Sequence, residues 1–101
     1  MSAKEFFDTL AADADPERIA GVEHTYVFDI AGEGRWLVEA RDGRLKVTEG
    51  WEGGADVTFS ASAETFERLA TRQQNPMTAY LTGKLKIDGD IRAAMALQNL
   101  L

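Results

Sequence analysis

Residues 75–101, NPMTAYLTGKLKIDGDIRAAMALQNLL, decide the fold, because they hold the start and stop signals of two helices around a short strand. Asn75 can cap a helix with its side-chain oxygen, and Pro76 suits the first helical position, where no N–H donor is needed. Gly83 suits the left-handed residue that follows a helix, and Asp90 can cap the last helix. The stretch therefore predicts a helix, a strand and a helix in that order.

Upstream of this stretch, the apolar residues change from helical spacing to strict alternation. Phe6, Phe7 and Leu10 share one face of a predicted first helix, and Asp15-Pro16 starts a short second turn. Alternation of apolar and polar residues predicts strands, which with the strand of the C-terminal stretch fall at 25–30, 36–40, 45–48, 55–61 and 84–87.

The connections between these strands set the topology. Asp42-Gly43 is the preferred pair for a two-residue hairpin, and Gly53-Gly54 marks a crossover before the fourth strand. Ser62 can cap a further helix. The order helix, three strands, crossover, strand, two helices, strand and helix indicates an α+β fold, a mixed sheet with helices segregated to one face.

Residues 75–99 resemble the end of the sterol carrier protein 2 (SCP2) domain family, in the version fused to peroxisomal multifunctional enzymes. The segment VFDIAGEGRWLVEARDGRLKVTEGWEGGADVTFSASAETFERLA follows the family's succession of strands and helix, so the resemblance covers roughly residues 25 to 101. It implies a five-stranded SCP2-like sheet and a carrier that holds an acyl chain or sterol between sheet and helices. The last three residues, Asn99-Leu100-Leu101, do not match a peroxisomal targeting tripeptide.

Length and composition predict a single domain over residues 1–101. The chain has no cysteine and a net charge of −6, which argues against nonspecific nucleic-acid binding and broad adhesion to anionic membranes. No apolar run approaches the ~20 residues of a membrane span, so stable membrane insertion is not expected. We expect a cytoplasmic protein of bacterial type.

An enzymatic function is not expected from the residues. His24 is the single histidine, and the nucleophile-elbow motif that a catalytic triad of this kind needs does not occur. Asp29, Glu39 and Asp56 lie on the polar phase of predicted strands, where solvation explains them better than metal binding. Neither a dinucleotide fingerprint nor a phosphate loop occurs, so no cofactor is expected.

The candidate ligand site is the set of apolar residues that the resemblance places between the sheet and the helices, although ordinary core is the alternative for each. Its methionines are flexible and line adaptable apolar sites well. Gln98 matches a family glutamine near the end of the pocket, with an exposed last-turn role as the alternative. The residues are Trp36, Phe59, Phe66, Leu69, Met77, Tyr80, Leu81, Ile87, Ala94, Met95 and Gln98.

Lys84, Lys86 and Arg92 form a small basic group in an acidic chain. Lys84 and Lys86 are two apart on a predicted strand and share a face. They are candidates for steering an anionic headgroup at the mouth of the site, with solvated surface charge as the alternative.

The sequence thus favours noncatalytic binding and transfer of a fatty acid, fatty acyl-CoA, sterol-like molecule or phospholipid. A second hypothesis is a protein-interaction or accessory module of a lipid- or quinone-related enzyme system, with a homodimer covering the mouth of the site. A small hydrolase or isomerase is the third, and it lacks a nucleophile and base constellation.

Overall fold

The computed structural model describes residues 3–12 and 15–98, apart from the side chains of Arg18, Leu97 and Gln98. Within these residues, the chain runs through two helices, four strands, two helices, one strand and a last helix. The elements are α1 (Ala3–Ala12), α2 (Pro16–Ile19), β1 (His24–Ala31), β2 (Gly34–Arg41), β3 (Arg44–Glu49), β4 (Val57–Ser62), α3 (Ala63–Ala70), α4 (Pro76–Leu81), β5 (Leu85–Gly89) and α5 (Ile91–Gln98).

The five strands form one mixed sheet in the order β3-β2-β1-β4-β5. β1 and β4 are parallel, and the other neighbouring pairs are antiparallel. The chain crosses from the β3 edge to the far side of β1 through residues 50–56, as the glycine-rich segment predicts. β5 is therefore an edge strand. These strands confirm the expected α+β fold.

Alternation along the central strands separates the two faces of the sheet. Tyr26, Phe28 and Ile30 of β1 belong to the hydrophobic core, which α1 and α3 also enter through Phe7 and Phe66. The side chains between them point to the opposite face, called here the outer face. There Val27 lies opposite Leu37 in the register, and both are buried. The central strands are thus protected on both sides.

The predicted signals of α4 are confirmed by its hydrogen bonds. The Asn75 side chain accepts from the N–H groups of Met77 and Thr78 at 2.8 and 3.3 Å. At the other end Gly83 has φ 77°, and the N–H of Lys84 donates to the Ala79 carbonyl at 2.8 Å. This is the 6→1 bond of a Schellman motif, which requires a left-handed residue. β5 can therefore begin two residues after Gly83.

The other local signals are also confirmed. The Ser62 side chain accepts from the Thr65 N–H at 3.1 Å and caps α3. The Asp90 carboxylate accepts from the Arg92 N–H at 2.9 Å at the start of α5. Asp42 and Gly43 both have positive φ, which gives the expected tight hairpin between β2 and β3.

Candidate functional site

The interior beneath α1 and α3 is filled by aromatic rings. All five phenylalanines of the chain take part in ring contacts, and Phe7 lies at the centre of this cluster. Its ring centroid is 5.1 Å from those of Phe28 and Trp36 and 5.5 Å from that of Phe66. Phe28 lies 5.1 Å from Phe59. These spacings are typical of packed aromatic pairs, so this part of the core is closed.

The candidate site residues divide into three groups by exposure. Trp36, Phe59, Phe66 and Ala94 are buried in the core, and Leu69 and Ile87 are partly buried against it. The third group lies on the surface. Its members and their exposed fractions are Met77 (51%), Tyr80 (42%), Leu81 (76%) and Met95 (58%). The Gln98 side chain lies outside the described part of the structure, so its headgroup role stays a prediction.

α4 exposes its bulky side chains because it packs on the sheet through a small one. Ala79 is completely buried, and α4 contacts β5. Met77, Tyr80 and Leu81 stand at spacings i, i+3 and i+4, so they share a different face of the helix. The resemblance implies that these three residues lie between the sheet and the helices, whereas the structure exposes them.

α5 also packs on the sheet through small side chains. Ala93 and Ala94 are buried, whereas Met95 is exposed. Ile91 lies one turn before Met95 and is 51% exposed. The i, i+4 spacing is the signal that pairs it with Met95. We call these five exposed side chains the apolar edge: Met77, Tyr80, Leu81, Ile91 and Met95, on two helices that both pack against β5.

Phe7 and Phe28 contact the candidate residues Trp36 and Phe59, although the sequence does not predict these contacts. Phe28 lies between Trp36 and Phe59 in the register, directly opposite both. Alternation within β1 shows that Phe28 faces inward. Its partners depend on strand pairing between distant segments, which alternation within one strand does not reveal.

Tyr26 ties α5 to the sheet. This fully buried side chain donates a hydrogen bond from Oη to the backbone carbonyl of Ala93 at 2.7 Å. Burial, followed by the negative charges of Asp56 and Asp90, raises the pKa of Tyr26 to about 12. The phenol therefore stays protonated and remains a donor over the physiological pH range.

His24 belongs to a polar cluster with Thr25 and Asp56 at the start of β1. Its Nδ1 lies 3.5 Å from a carboxylate oxygen of Asp56. The same carboxylate accepts from the Thr25 N–H at 3.1 Å, and the Thr25 hydroxyl accepts from the Asp56 N–H at 3.0 Å. Asp56 thus joins the ends of two parallel strands, which is a structural role.

Lys84 and Lys86 lie on the outer face, away from the core. Lys86 stands between Leu85 and Ile87, both of which pack inward, so its side chain points to the opposite side. The two lysines line a depression of about 300 Å³ that also includes Asp29, Ser60 and Ser62. The idea that they border a mouth between sheet and helices is therefore wrong, because the strand pleat turns them to the other face.

Two absences concern only residues 3–12 and 15–98. No group of three or more His, Cys, Asp or Glu side chains is arranged to hold a metal ion there. None of the helices in that part has the length and hydropathy of a membrane-spanning segment.

Large exposed apolar side chains often mark interaction sites, and the apolar edge offers such side chains on the two helices that pack against β5. The fold identifies the class of protein. The chain belongs to the SCP-2 sterol transfer family, whose profile matches residues 3–101. Human sterol carrier protein 2 is 36% identical over 86 residues, which cover 83% of this chain and 16% of that protein. The chain thus spans about a sixth of that relative's length.

Solved structures agree with the family assignment. The sterol carrier protein domain 2 of Helicoverpa armigera matches with a TM-score of 0.76 and 31% identity, covering 96% of this chain and 80% of that one. The sec-alkylsulfatase Pisa1 from Pseudomonas sp. matches with a TM-score of 0.86 and 27% identity, covering 100% of this chain and 16% of that one. The predicted SCP2-like fold is confirmed.

Proposed function

We propose that this chain binds one long apolar lipid tail reversibly and transfers it without catalysis, in keeping with lipid binding in its family. The observation that carries the proposal is the apolar edge. Five large apolar side chains are exposed to water on two helices. The water-facing side of a surface helix usually carries polar residues. Met77, Tyr80 and Leu81 share one face of α4, and grouped exposed apolar side chains typically mark an interaction site.

The tail is proposed to lie along β5, against Met77, Tyr80, Leu81 and Met95, with Ile87 beneath it. Ile87 is partly buried against the core, which makes it the natural floor of such a site. The buried rings of Trp36, Phe59 and Phe66 form the wall behind. Because those rings are already packed together, a long tail requires α4 or α5 to move outward, and the short α4 is the simpler element to displace.

Burial of the tail alone supplies enough free energy. Ten methylenes contribute about 8 kcal/mol at ~0.8 kcal/mol each, which corresponds to a micromolar Kd before the entropy of association is subtracted. Such a site needs little polar recognition. We therefore propose fatty acids, fatty acyl-CoA, sterol-like molecules and phospholipids as the ligand class. A cytoplasmic location is a separate part of the proposal.

The proposal is tested by titrating the protein with a fluorescent fatty acid and by mass spectrometry of lipid extracted from protein purified under native conditions. Saturable uptake is expected. Replacing Met77 and Met95 together by Ser should weaken it about tenfold, since the tail loses two apolar contacts. Trp51→Ser removes an exposed apolar side chain from the loop that contacts Arg35 of β2, and it should not change uptake. No saturable uptake by the folded protein would refute the proposal.

An accessory role within a larger protein is the second candidate. The match to Pisa1 favours it, because this fold there makes up 16% of a sulfatase chain. In that case the apolar edge would contact another domain or a second copy of this chain. Light scattering after gel filtration distinguishes these outcomes: a dimer that dissociates when Leu81 and Ile91 are changed to Ser supports an interface, and a monomer with lipid uptake supports the carrier.

A further inference from the structure

The segment that contains β5, KLKIDGD at residues 84–90, has a charge pattern that reverses about its centre, Ile87. Lysines stand one and three residues before Ile87, and aspartates stand one and three residues after it. The inner pair, Lys86 and Asp88, is exposed. These two side chains are two residues apart on the strand, so both lie on the outer face. Neither forms an ion pair with another described residue.

β5 has a strand neighbour on one side only. It pairs with β4, and no other described strand lies beside it. An edge strand of this kind presents backbone N–H and C=O groups that are able to pair with a further strand. The strand contains no proline, and its residues before Gly89 have no positive φ that would interrupt such pairing.

The other edge strand, β3, differs from β5 in its charges. Arg44, Lys46 and Thr48 alternate along the outer face of β3, so that face carries positive charge without an acidic partner. Two copies of β3 would bring like charges together, and charged edges are a common device against unwanted strand pairing. The edge of β5 carries both signs of charge instead.

We propose that β5 pairs with β5 of a second copy of this chain, antiparallel and centred on Ile87, so that the two sheets join edge to edge. In this register Lys86 of each copy lies opposite Asp88 of the other, and the outer lysine and aspartate of the segment follow the same rule. Opposite charges directly across a strand pair stabilise it, and like charges destabilise it. The inference goes beyond the proposed lipid binding and gives the alternative interface a defined geometry.

The charge pattern selects both the partner and the register. A partner strand must carry the same reversal of charge to match it, and a second copy related by a twofold axis does so by symmetry. Parallel pairing in register would set lysine against lysine and aspartate against aspartate. An antiparallel register centred on Lys86 or Asp88 would set that residue against itself. The register centred on Ile87 avoids all of these contacts.

The apolar edge fits the same arrangement. Ile87 packs towards the helices, and it lies opposite itself in the proposed register, so the helices of both copies lie on one side of the joined sheet. Antiparallel pairing brings the end of α4, which precedes β5, near the start of α5, which follows β5 in the other copy. Leu81 and Ile91 occupy these two ends and are 76% and 51% exposed. Their mutual burial adds apolar area to a short strand pair.

The test uses two single variants of the whole chain, Lys86→Asp and Asp88→Lys. Each variant converts both attractive Lys86–Asp88 pairs of the dimer into repulsive pairs, so each should raise the Kd of the dimer about tenfold or more. Sedimentation equilibrium over a series of concentrations measures this Kd. A mixture of the two variants restores both attractive pairs. Native mass spectrometry of the mixture should therefore show more heterodimer than either homodimer.

The matched control is Arg44→Asp, which replaces an exposed cation by a carboxylate on β3, at the opposite edge of the sheet. It should change the Kd of the dimer by less than about twofold, because a charge far from the interface is screened. A monomeric wild type would overturn the inference. Homodimers of Lys86→Asp as tight as the wild type, or no preference for the heterodimer in the mixture, would also overturn it.

Titration with a fluorescent fatty acid separates this inference from the proposed function. Lys86 lies on the outer face, away from the proposed path of the tail, so monomeric Lys86→Asp should still take up fatty acid saturably. Dimerisation of the wild type without uptake would support the strand pairing and refute the carrier. Uptake by a wild type that stays monomeric would support the carrier and refute the strand pairing.

Discussion

Gly89 is the residue at which the backbone leaves least room for a side chain. It ends β5 with φ 125°, and a Cβ built there would collide with the backbone carbonyl of Asp56. The neighbouring Asp90 N–H donates to that same carbonyl at 2.9 Å, which holds the two segments together. The close approach of β5 to the start of β4 therefore depends on glycine.

Gly89→Ala is accordingly expected to lower the free energy of unfolding by about 2–4 kcal/mol, from the backbone collision and the positive φ together. Urea denaturation measures this loss. Gly54→Ala is the control, because a Cβ there meets no atom within 4 Å, and its effect should stay within about 0.5 kcal/mol. Equal stability of the two variants would contradict the assigned role of Gly89.

Tyr26 makes stability depend on alkaline pH. The ordinary phenol pKa is 10.0, and in the folded protein it is raised to about 12. Between these values the unfolded chain loses its proton while the folded chain keeps it. The unfolded state then binds fewer protons, so the free energy of unfolding falls as pH rises. The stabilisation is complete below pH 10 and is lost as pH approaches 12.

Tyr26→Phe should therefore lower stability by about 1 kcal/mol at neutral pH, where the hydrogen bond to Ala93 is lost, and show a shallower decline above pH 10. The measurement is urea denaturation at neutral pH, pH 10 and pH 12. The wild type should lose roughly 2–3 kcal/mol more than the variant over that range. Tyr80→Phe changes an exposed tyrosine and should keep the wild-type profile.

At the scale of single elements, the caps could be predicted because they are local. Asn75, Ser62 and Asp90 each bond to backbone N–H groups two or three residues away, so sequence spacing carries the information. The hairpin at Asp42-Gly43 is local in the same sense. Gly83 adds the corresponding stop signal for α4.

The direction that a helix face takes could not be predicted in this way. α4 has six residues, and apolar side chains stand on both its buried and its exposed sides. Whether Ala79 or Leu81 meets the sheet depends on how closely the helix approaches β5, which is a tertiary property. The register that places Phe28 between Trp36 and Phe59 is tertiary too. The list of candidate site residues therefore stays a prediction, and their positions relative to the sheet follow from tertiary packing.

Ala94 and Met95 are neighbours in α5 and are both predicted to line the ligand site, but they differ in burial. The resemblance implies that both positions face a ligand cavity, in which a tryptophan from Ala94→Trp or Met95→Trp would take up space at little cost in stability. Ala94 is buried in the packed core, whereas Met95 is exposed. Ala94→Trp should now lower the free energy of unfolding by about 1–3 kcal/mol or more through overpacking, and Met95→Trp should change it by less than about 0.5 kcal/mol.

Thermal unfolding and fatty acid titration of both variants check this. Met95→Trp should remain stable while its uptake weakens by about fivefold or more, because the indole occupies the proposed path of the tail. Unchanged uptake in Met95→Trp would remove Met95 from the site. An undisturbed melting temperature in Ala94→Trp would show that space for a tail exists beneath α5.

For the whole molecule, the two sides of the sheet carry different interactions. The helical side holds the aromatic core, and the apolar edge lies where that side meets β5. The outer face is mostly polar around a buried Val27 and Leu37. β5 is the edge strand against which α4 and α5 pack, so the proposed ligand would contact both helices and sheet.

Binding at β5 should therefore stabilise the whole fold. At a fatty acid concentration of ~100 times Kd, linkage adds about 2.7 kcal/mol to the free energy of unfolding. Each kcal/mol raises the melting temperature of a domain of this size by about 4–8 °C, so palmitate should raise it by about 10 °C or more. Butyrate serves as the control, since its few methylenes supply little burial free energy and should leave the melting temperature nearly unchanged. A shift that does not grow with palmitate concentration would mean that the fatty acid binds no specific site on the folded protein.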